Sequence, residues 1–184
     1  MRIVAGEFSS RKLLTLPGEK TRPTLDKVRE AVFSSLGGYF EGGICLDLYA
    51  GSGAIGLEAL SRGMDYCIFC DNNPKAVSII HANIASLKVE DRTKVYCRKD
   101  IQLLKQLVDM DYKFSLVYLD PPYKKEHNEE IIKFLSENHL LEKGARIVIE
   151  ESKDDLFNDT IGSALKYKEA TYGISKIHYY KESL

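Results

Sequence analysis

The 184-residue sequence has no apolar run near the ~18 residues a membrane-spanning helix needs, which excludes a helical membrane span. Its first residues, MRIVAGEFSSRKLL, lack a long apolar core and a small-residue cleavage site, so no secretory signal is expected. There are no repeats and no low-complexity tracts, which excludes a solenoid or a fibrous chain. Net charge is also missing: 26 basic and 27 acidic residues leave −1, so no bulk electrostatic case for nucleic-acid binding exists. Cysteines are few: Cys45, Cys67, Cys70 and Cys97. Cys67 and Cys70 form a C-x-x-C string, but they fall in an apolar strand-like run. Positions three apart on a strand point to opposite faces, so the pair cannot grip one ion. Reduced core cysteines and no metal are expected, in a cytoplasmic protein.

What is present is the composition of an ordinary folded protein, 44% hydrophobic and 29% charged. The length suits one domain. Charge is unevenly placed. Residues 1–30 hold seven basic and four acidic residues, or +3, and the remainder carries −4. A basic leading segment on a slightly acidic body hints at a polyanionic partner, and a solvated surface segment explains it equally well.

Short apolar runs alternate with amphipathic stretches. Ile44–Tyr49, Tyr66–Phe69, Lys94–Cys97, Phe114–Leu119 and Ala145–Ile149 read as strands. Ala54 to about Arg62 reads as a helix. Asn73 and Pro74 offer a cap and a first-turn proline for a helix with Val77, Ile80, Ile84 and Leu87 on one face. Ile101, Leu104 and Val108 suggest another helix, and Ile131 and Leu135 a further one. Leu165–Thr171 and Ile174–Tyr180 flank Gly173 as a hairpin. Ahead of these, Thr24 can cap a helix bearing Val28, Val32 and Leu36. The pattern predicts an α/β fold with a mostly parallel sheet, helices on both faces and an antiparallel C-terminal hairpin. Residues 1–40 read as an arm and helix on a single domain spanning 1–184. Such sheets bind ligands beyond the carboxyl ends of their strands.

Asp47-Leu48-Tyr49-Ala50-Gly51-Ser52-Gly53-Ala54-Ile55-Gly56 places a G-x-G-x-x-G string between a strand and a helix. Glycines permit a sharp turn and close backbone approach to a ligand. The same string also serves as a bare strand-to-helix turn. Asp71 ends the next strand, 20 residues after Gly51, where a carboxylate can hold ribose hydroxyls. Together these indicate an adenosine-containing cofactor, without separating NAD from S-adenosylmethionine.

Asp120-Pro121-Pro122-Tyr123 closes the strand Phe114–Leu119. Proline lacks an N–H and fixes φ, so this corner is stiff and its carbonyls are held at set angles. A carboxylate and a carbonyl so placed can accept both hydrogens of an exocyclic amine. That localises the nitrogen lone pair for in-line attack on a methyl group. Tyr123 offers a flat face for the base. After the glycine string and Asp71, this corner favours methyl transfer.

Asp120-Pro-Pro-Tyr123 resembles the [DN]-P-P-[YF] motif of amino-group methyltransferases, and Asp47–Gly53 resembles their first motif. Arg2-Ile-Val-Ala-Gly6, Ser10-Arg11-Lys12-Leu13, Thr21-Arg22-Pro23-Thr24 and Val28-Arg29-Glu30-Ala31 are more specific. With Glu150-Glu151 and Tyr172-Gly173, they resemble the bacterial 16S rRNA guanine-N2 methyltransferases over essentially the whole chain. The resemblance implies a Rossmann-like, seven-stranded class I methyltransferase fold and S-adenosylmethionine as cofactor. It implies cofactor contacts from Asp47, Tyr49, Gly51, Ser52, Gly53, Asp71, Asn72 and Asp100, the last on the adenine amine. Asp100 also suits a helix N-cap. Asp120, Pro121, Pro122 and Tyr123 would form the catalytic corner. Arg11, Lys12, Arg22, Lys124 and Lys125 would meet RNA phosphates, and each also reads as a solvated charge. Asp71 stands where a glutamate is common, and either binds ribose.

The four histidines, His81, His127, His139 and His178, read as surface or helix-face residues. The implied partner is 16S rRNA in the small subunit or an assembly intermediate, acted on by a monomer. Rival readings are an adenine-N6 DNA or RNA methyltransferase, an NAD-dependent oxidoreductase and a non-catalytic RNA-binding module. The leading reading needs the glycine turn and the proline corner to border a shared cleft.

Overall fold

The structure, a computed structural model, describes residues 1–17, 23–121, 125–152 and 156–184. It divides into two compact units, Met1–Asp100 and Ile101–Leu184. None of its described helices is long and apolar enough to cross a membrane.

The first unit holds three parallel strands in the order β3-β2-β1: β1 (Ile44–Asp47), β2 (Tyr66–Asp71) and β3 (Thr93–Cys97). Helix α1 (Pro23–Ser35) precedes them, α2 (Ala54–Ser61) joins β1 to β2, and α3 (Pro74–Leu87) joins β2 to β3. Asn73 caps α3 by accepting the Lys75 N–H at 3.0 Å, with Pro74 at the first turn as the sequence indicates. Gly56 explains the close seat of α2 on β2. A Cβ there would stand 2.3 Å from the Phe69 ring and 2.6 Å from Cys67 Sγ.

The leading segment is built into this unit. Ile3 and Arg11, Ser10 and Ile3, and Leu13 and Met1 pair through backbone bonds of 2.9–3.0 Å. Ile3 and Leu13 are buried, each burial contributing roughly 1.5–3 kcal/mol. Beneath it lies Glu58, fully buried on α2. Its carboxylate accepts the N–H groups of Val4 (2.8 Å) and Ala5 (3.1 Å) and pairs with Arg29 and Arg62, each at 3.0 Å. Arg29 therefore does not belong to the free charge of the leading segment.

The second unit holds five strands in the order β4-β5-β8-β7-β6. These are β4 (Phe114–Leu119), β5 (Leu141–Ser152), β6 (Thr160–Ile161), β7 (Ala164–Tyr172) and β8 (Ser175–Glu182). β4 and β5 are parallel, and β8 runs antiparallel to both β5 and β7. The expected seven strands become eight among the described residues. The addition is β6, two residues long and too short to show a period. β5 also starts four residues before the expected Ala145. It passes through Gly144 at φ 76°, where the register against β4 shifts, so that glycine makes a bulge rather than a strand boundary.

Helix α5 (Lys125–Glu137) buries Asn128, Ile131, Ile132 and Leu135. In α4 (Asp100–Val108) the buried residues are Leu103, Leu104 and Leu107. Val108, expected in the apolar stripe, is 37% exposed, because the buried face lies one position earlier. His178 also departs from expectation. It is fully buried in β8, its ring centroid 4.7 Å from that of Phe157, because every residue of that strand from Ile177 to Tyr180 is covered. Burial lowers its pKa.

Candidate functional site

In the first unit, β1 ends at Asp47 and the chain turns through Leu48–Gly53 into α2. Gly51 and Gly53 adopt φ of 57° and 83°, the left-handed region where a side chain is strained. The N–H groups of all three motif glycines are occupied. Gly51 donates to Asp71 Oδ2 at 2.9 Å, Gly53 to the Ala50 carbonyl at 2.8 Å, and Gly56 to Asp47 Oδ2 at 3.0 Å. Asp47 is buried, and burial pushes its carboxyl up to about 7, against the Gly56 N–H, which pulls it down.

Asp71 ends β2 and binds on two sides, with its other oxygen accepting the Asn73 N–H at 2.9 Å. Each carboxylate oxygen accepts more than one bond, so this leaves acceptor capacity for hydroxyls. Asn72 is exposed beside it. Asp100 opens α4, and its Oδ2 accepts the Tyr49 hydroxyl at 2.6 Å. The turn is thus bonded to both Asp71, which the sequence suggests for ribose, and Asp100, which the family resemblance suggests for adenine. Ser52 is buried, with its carbonyl accepting from Asn83 Nδ2 at 2.9 Å. Asp47, Tyr49, Gly51, Ser52, Gly53, Asp71 and Asp100 thus lie at the carboxyl ends of β1 to β3, with Tyr49 bonded to Asp100 and Gly51 to Asp71. Turn glycines with carboxylate acceptors beside them fit an adenosine-containing cofactor.

Cys67 and Cys70 face opposite sides of β2. Cys67 lies beside Gly56, while Cys70 Sγ contacts the Arg98 carbonyl at 3.3 Å. Burial pushes the Cys70 thiol up to about 12 and that of Cys67 well above its ordinary value.

In the second unit, β4 is buried through Leu119, and Asp120 follows immediately as an exposed residue. Pro121 is half-buried. Helix α5 begins at Lys125. Two side-chain pairs tie β5 to its neighbours. The Tyr118 hydroxyl donates to Glu150 Oε2 at 2.9 Å, and Asn128 Nδ2, buried on α5, donates to Glu151 Oε1. Pro122, Tyr123 and Lys124 lie outside the described residues, as do Arg22 and the side chain of Lys125. Of the remaining basic candidates, Lys12 is exposed. Arg11 is exposed too, with Nη2 donating to the Ser86 carbonyl at 2.7 Å.

Sequence reasoning missed Asn83, Glu58 and the Tyr118–Glu150 pair. Asn83 exchanges two bonds with the Leu14 backbone, at 2.8 and 3.0 Å, while holding Ser52. The signal was available: Asn83 stands next to Ile84 in the apolar face of α3, and Glu58 is flanked by Leu57 and Ala59. A polar residue inside an apolar stripe announces a buried partner.

A family model described as Conserved hypothetical protein 95 matches residues 1–181. YlbH of Bacillus subtilis, a provisionally named rRNA methyltransferase, is 36% identical over 182 residues, 99% of each chain. Ribosomal RNA small subunit methyltransferase D of Haemophilus influenzae is 36% identical over 155 residues, 84% of this chain and 80% of that one. A provisionally named methyltransferase of Escherichia coli, yhhF, has a solved structure with a TM-score of 0.86 and 29% identity. The match covers 100% of this chain and 98% of that one. The fold is that of the class I methyltransferases. The chain belongs to the Conserved hypothetical protein 95 family, which is the family of the ribosomal RNA small subunit methyltransferase D proteins.

Proposed function

We propose that this chain transfers a methyl group from S-adenosylmethionine to the exocyclic N2 amine of a guanine in 16S rRNA. The substrate is the small ribosomal subunit or an assembly intermediate, and the enzyme is a cytoplasmic monomer of one domain whose leading 40 residues form an arm and helix. When bound, S-adenosylmethionine supplies a sulfonium-activated methyl group and departs as S-adenosylhomocysteine. The turn Gly51-Ser52-Gly53 lies along its methionine part, Asp71 accepts from the ribose hydroxyls, and Asp100 accepts from the adenine amine.

One observation carries the choice of cofactor. The three glycine N–H groups that a dinucleotide's pyrophosphate would approach are already bonded, two of them to carboxylates. A pyrophosphate would meet the charge of Asp71 there instead of free donors. A cationic sulfonium cofactor is favoured by the same carboxylates.

At the acceptor side, the Asp120 carboxylate and the Pro121 carbonyl take the two amine hydrogens. This draws the nitrogen lone pair out of conjugation and aims it. Nitrogen gains the carbon, becomes cationic and then loses its surplus proton to solvent, so Asp120 need not act as a strong base. A base paired in a stem does not reach such a corner, so the guanine is flipped or unpaired. Tyr123 stacks on it, Pro122 stiffens the corner, and Arg11, Lys12, Arg22, Lys124 and Lys125 contact phosphates.

Labelled S-adenosylmethionine, incubated with purified small subunits, their RNA and DNA, tests this. N2-methylguanosine is the expected product. N6-methyladenosine as main product overturns the base assignment, and calorimetry showing NAD but no S-adenosylhomocysteine binding overturns the whole reading.

A further inference from the structure

Guanine and adenine differ at the edge this corner must grip. Guanine offers three donors, N1–H and the two N2 hydrogens. Adenine offers two hydrogens from its amine and an acceptor at N1. Asp120 and Pro121 supply two acceptors, enough for either amine. They do not by themselves select guanine.

The structure holds a third acceptor on the same side of the second unit's sheet. Asp120 directly follows β4, two residues after Tyr118, so the alternation of the strand, carried one residue past its end, turns it toward the Tyr118 face. Tyr118 pairs with Val148 on β5 and Leu119 with Ile149, which carries Glu150 to the level of Asp120. Glu150 and Val148 share that face as well, one strand away, a spacing of ~4.8 Å. The Tyr118 hydroxyl, from a buried ring, reaches along the strand to Glu150 Oε2 at 2.9 Å. That bond fixes the carboxylate through one oxygen. The group is half-buried at the strand's carboxyl end, where the sheet meets the corner.

Resting on the function proposed above, we infer that Glu150 is a specificity-determining residue, accepting the N1–H of the target guanine beside Asp120 and Pro121. Three acceptors then face three donors. An adenine in the same place sets its N1 lone pair against the Glu150 carboxylate, which leaves both unpaired and repelling. Rejection by a mismatched acceptor is stronger than rejection by shape.

The test compares guanine with 2-aminopurine, which keeps the N2 amine but has an acceptor at N1. RNA carrying either base at the mapped position is methylated by the full chain and by Glu150→Gln. The glutamine retains an oxygen for Tyr118 and removes the charge. The wild type is expected to prefer guanine by roughly 10–100-fold in kcat/KM. E150Q is expected to lose about tenfold or more on guanine and to narrow that preference, with unchanged S-adenosylhomocysteine affinity reporting an intact fold. Tyr118→Phe, which frees the carboxylate from its anchor but keeps the acceptor, is expected to narrow the preference less than E150Q does. The inference is overturned if E150Q keeps both the wild-type kcat/KM and the wild-type ratio. It is also overturned if Y118F erases the ratio as fully as E150Q does, which would mark the pair as packing. Absence of N2-methylguanosine from the wild-type product is a different result: it removes the underlying reading.

Discussion

The hydroxyl of Tyr49 donates to Asp100 Oδ2 at 2.6 Å, tying the turn after β1 to the start of α4 across 51 residues of sequence. A hydrogen bond to a carboxylate is worth about 1.5–3 kcal/mol. Here it orients the group proposed to read the adenine amine. Tyr49→Phe should therefore lower stability by up to about that amount and also weaken S-adenosylhomocysteine binding by about tenfold. Calorimetry on the two proteins measures it. Equal affinities would detach Asp100 from the cofactor.

Asp47 gives a pH signature. Its folded carboxyl titrates near 7 against 3.8 for the free group, so between those values the native state holds more protons than the unfolded chain. Stability contributed by this residue is then lost as pH rises from about 4 to 7, by at most ~4 kcal/mol. Asp47→Asn keeps an oxygen for the Gly56 N–H and cannot ionise. The stability of the variant relative to wild type should climb across that window in urea titrations. Parallel pH–stability curves would contradict the assignment.

Glu58 answers for the leading segment. It binds two backbone N–H groups of that segment and two arginines, with no exposure. Removing it strands buried charge, which costs about 3–5 kcal/mol. Glu58→Ala should lower the urea midpoint accordingly and expose residues 1–14 to protease. A variant with wild-type midpoint and cleavage pattern would show that the segment is held by other contacts.

Much of this architecture was legible because local chemistry and tertiary need agree. Phe114–Leu119 is a strand in both readings, since its run is apolar and ends at a proline pair. Asn73-Pro74 starts α3 because the cap and the fixed φ suit the first turn. The misses have physical causes. Gly144 reads as a boundary, yet a glycine with positive φ also makes a bulge that lets a strand continue. β6 exists only because it pairs with β7, a non-local contact absent from its own two residues. Within the site, types and spacing pointed to Gly51 and Asp71, and the family resemblance pointed to Asp100. They did not reveal that Asp71 occupies the Gly51 N–H, nor that Glu150 reaches the level of Asp120. Those facts depend on register between strands, which one sequence does not display.

Asp120 is the residue on which the proposed methyl transfer turns. Asp120→Ala should keep the fold and S-adenosylhomocysteine affinity while lowering turnover by roughly 10²–10³-fold, the scale for losing one aligned electrostatic contact. A single-turnover assay against bound subunits separates the two effects. Unchanged turnover would favour a binding module over an enzyme.

The most direct measurement is a map of modified nucleosides in 16S rRNA from cells lacking this protein, complemented with wild type or Asp120→Ala. One N2-methylguanosine should vanish, return with the wild type and stay absent with D120A. An unchanged map, or the loss of N6-methyladenosine instead, would contradict the account.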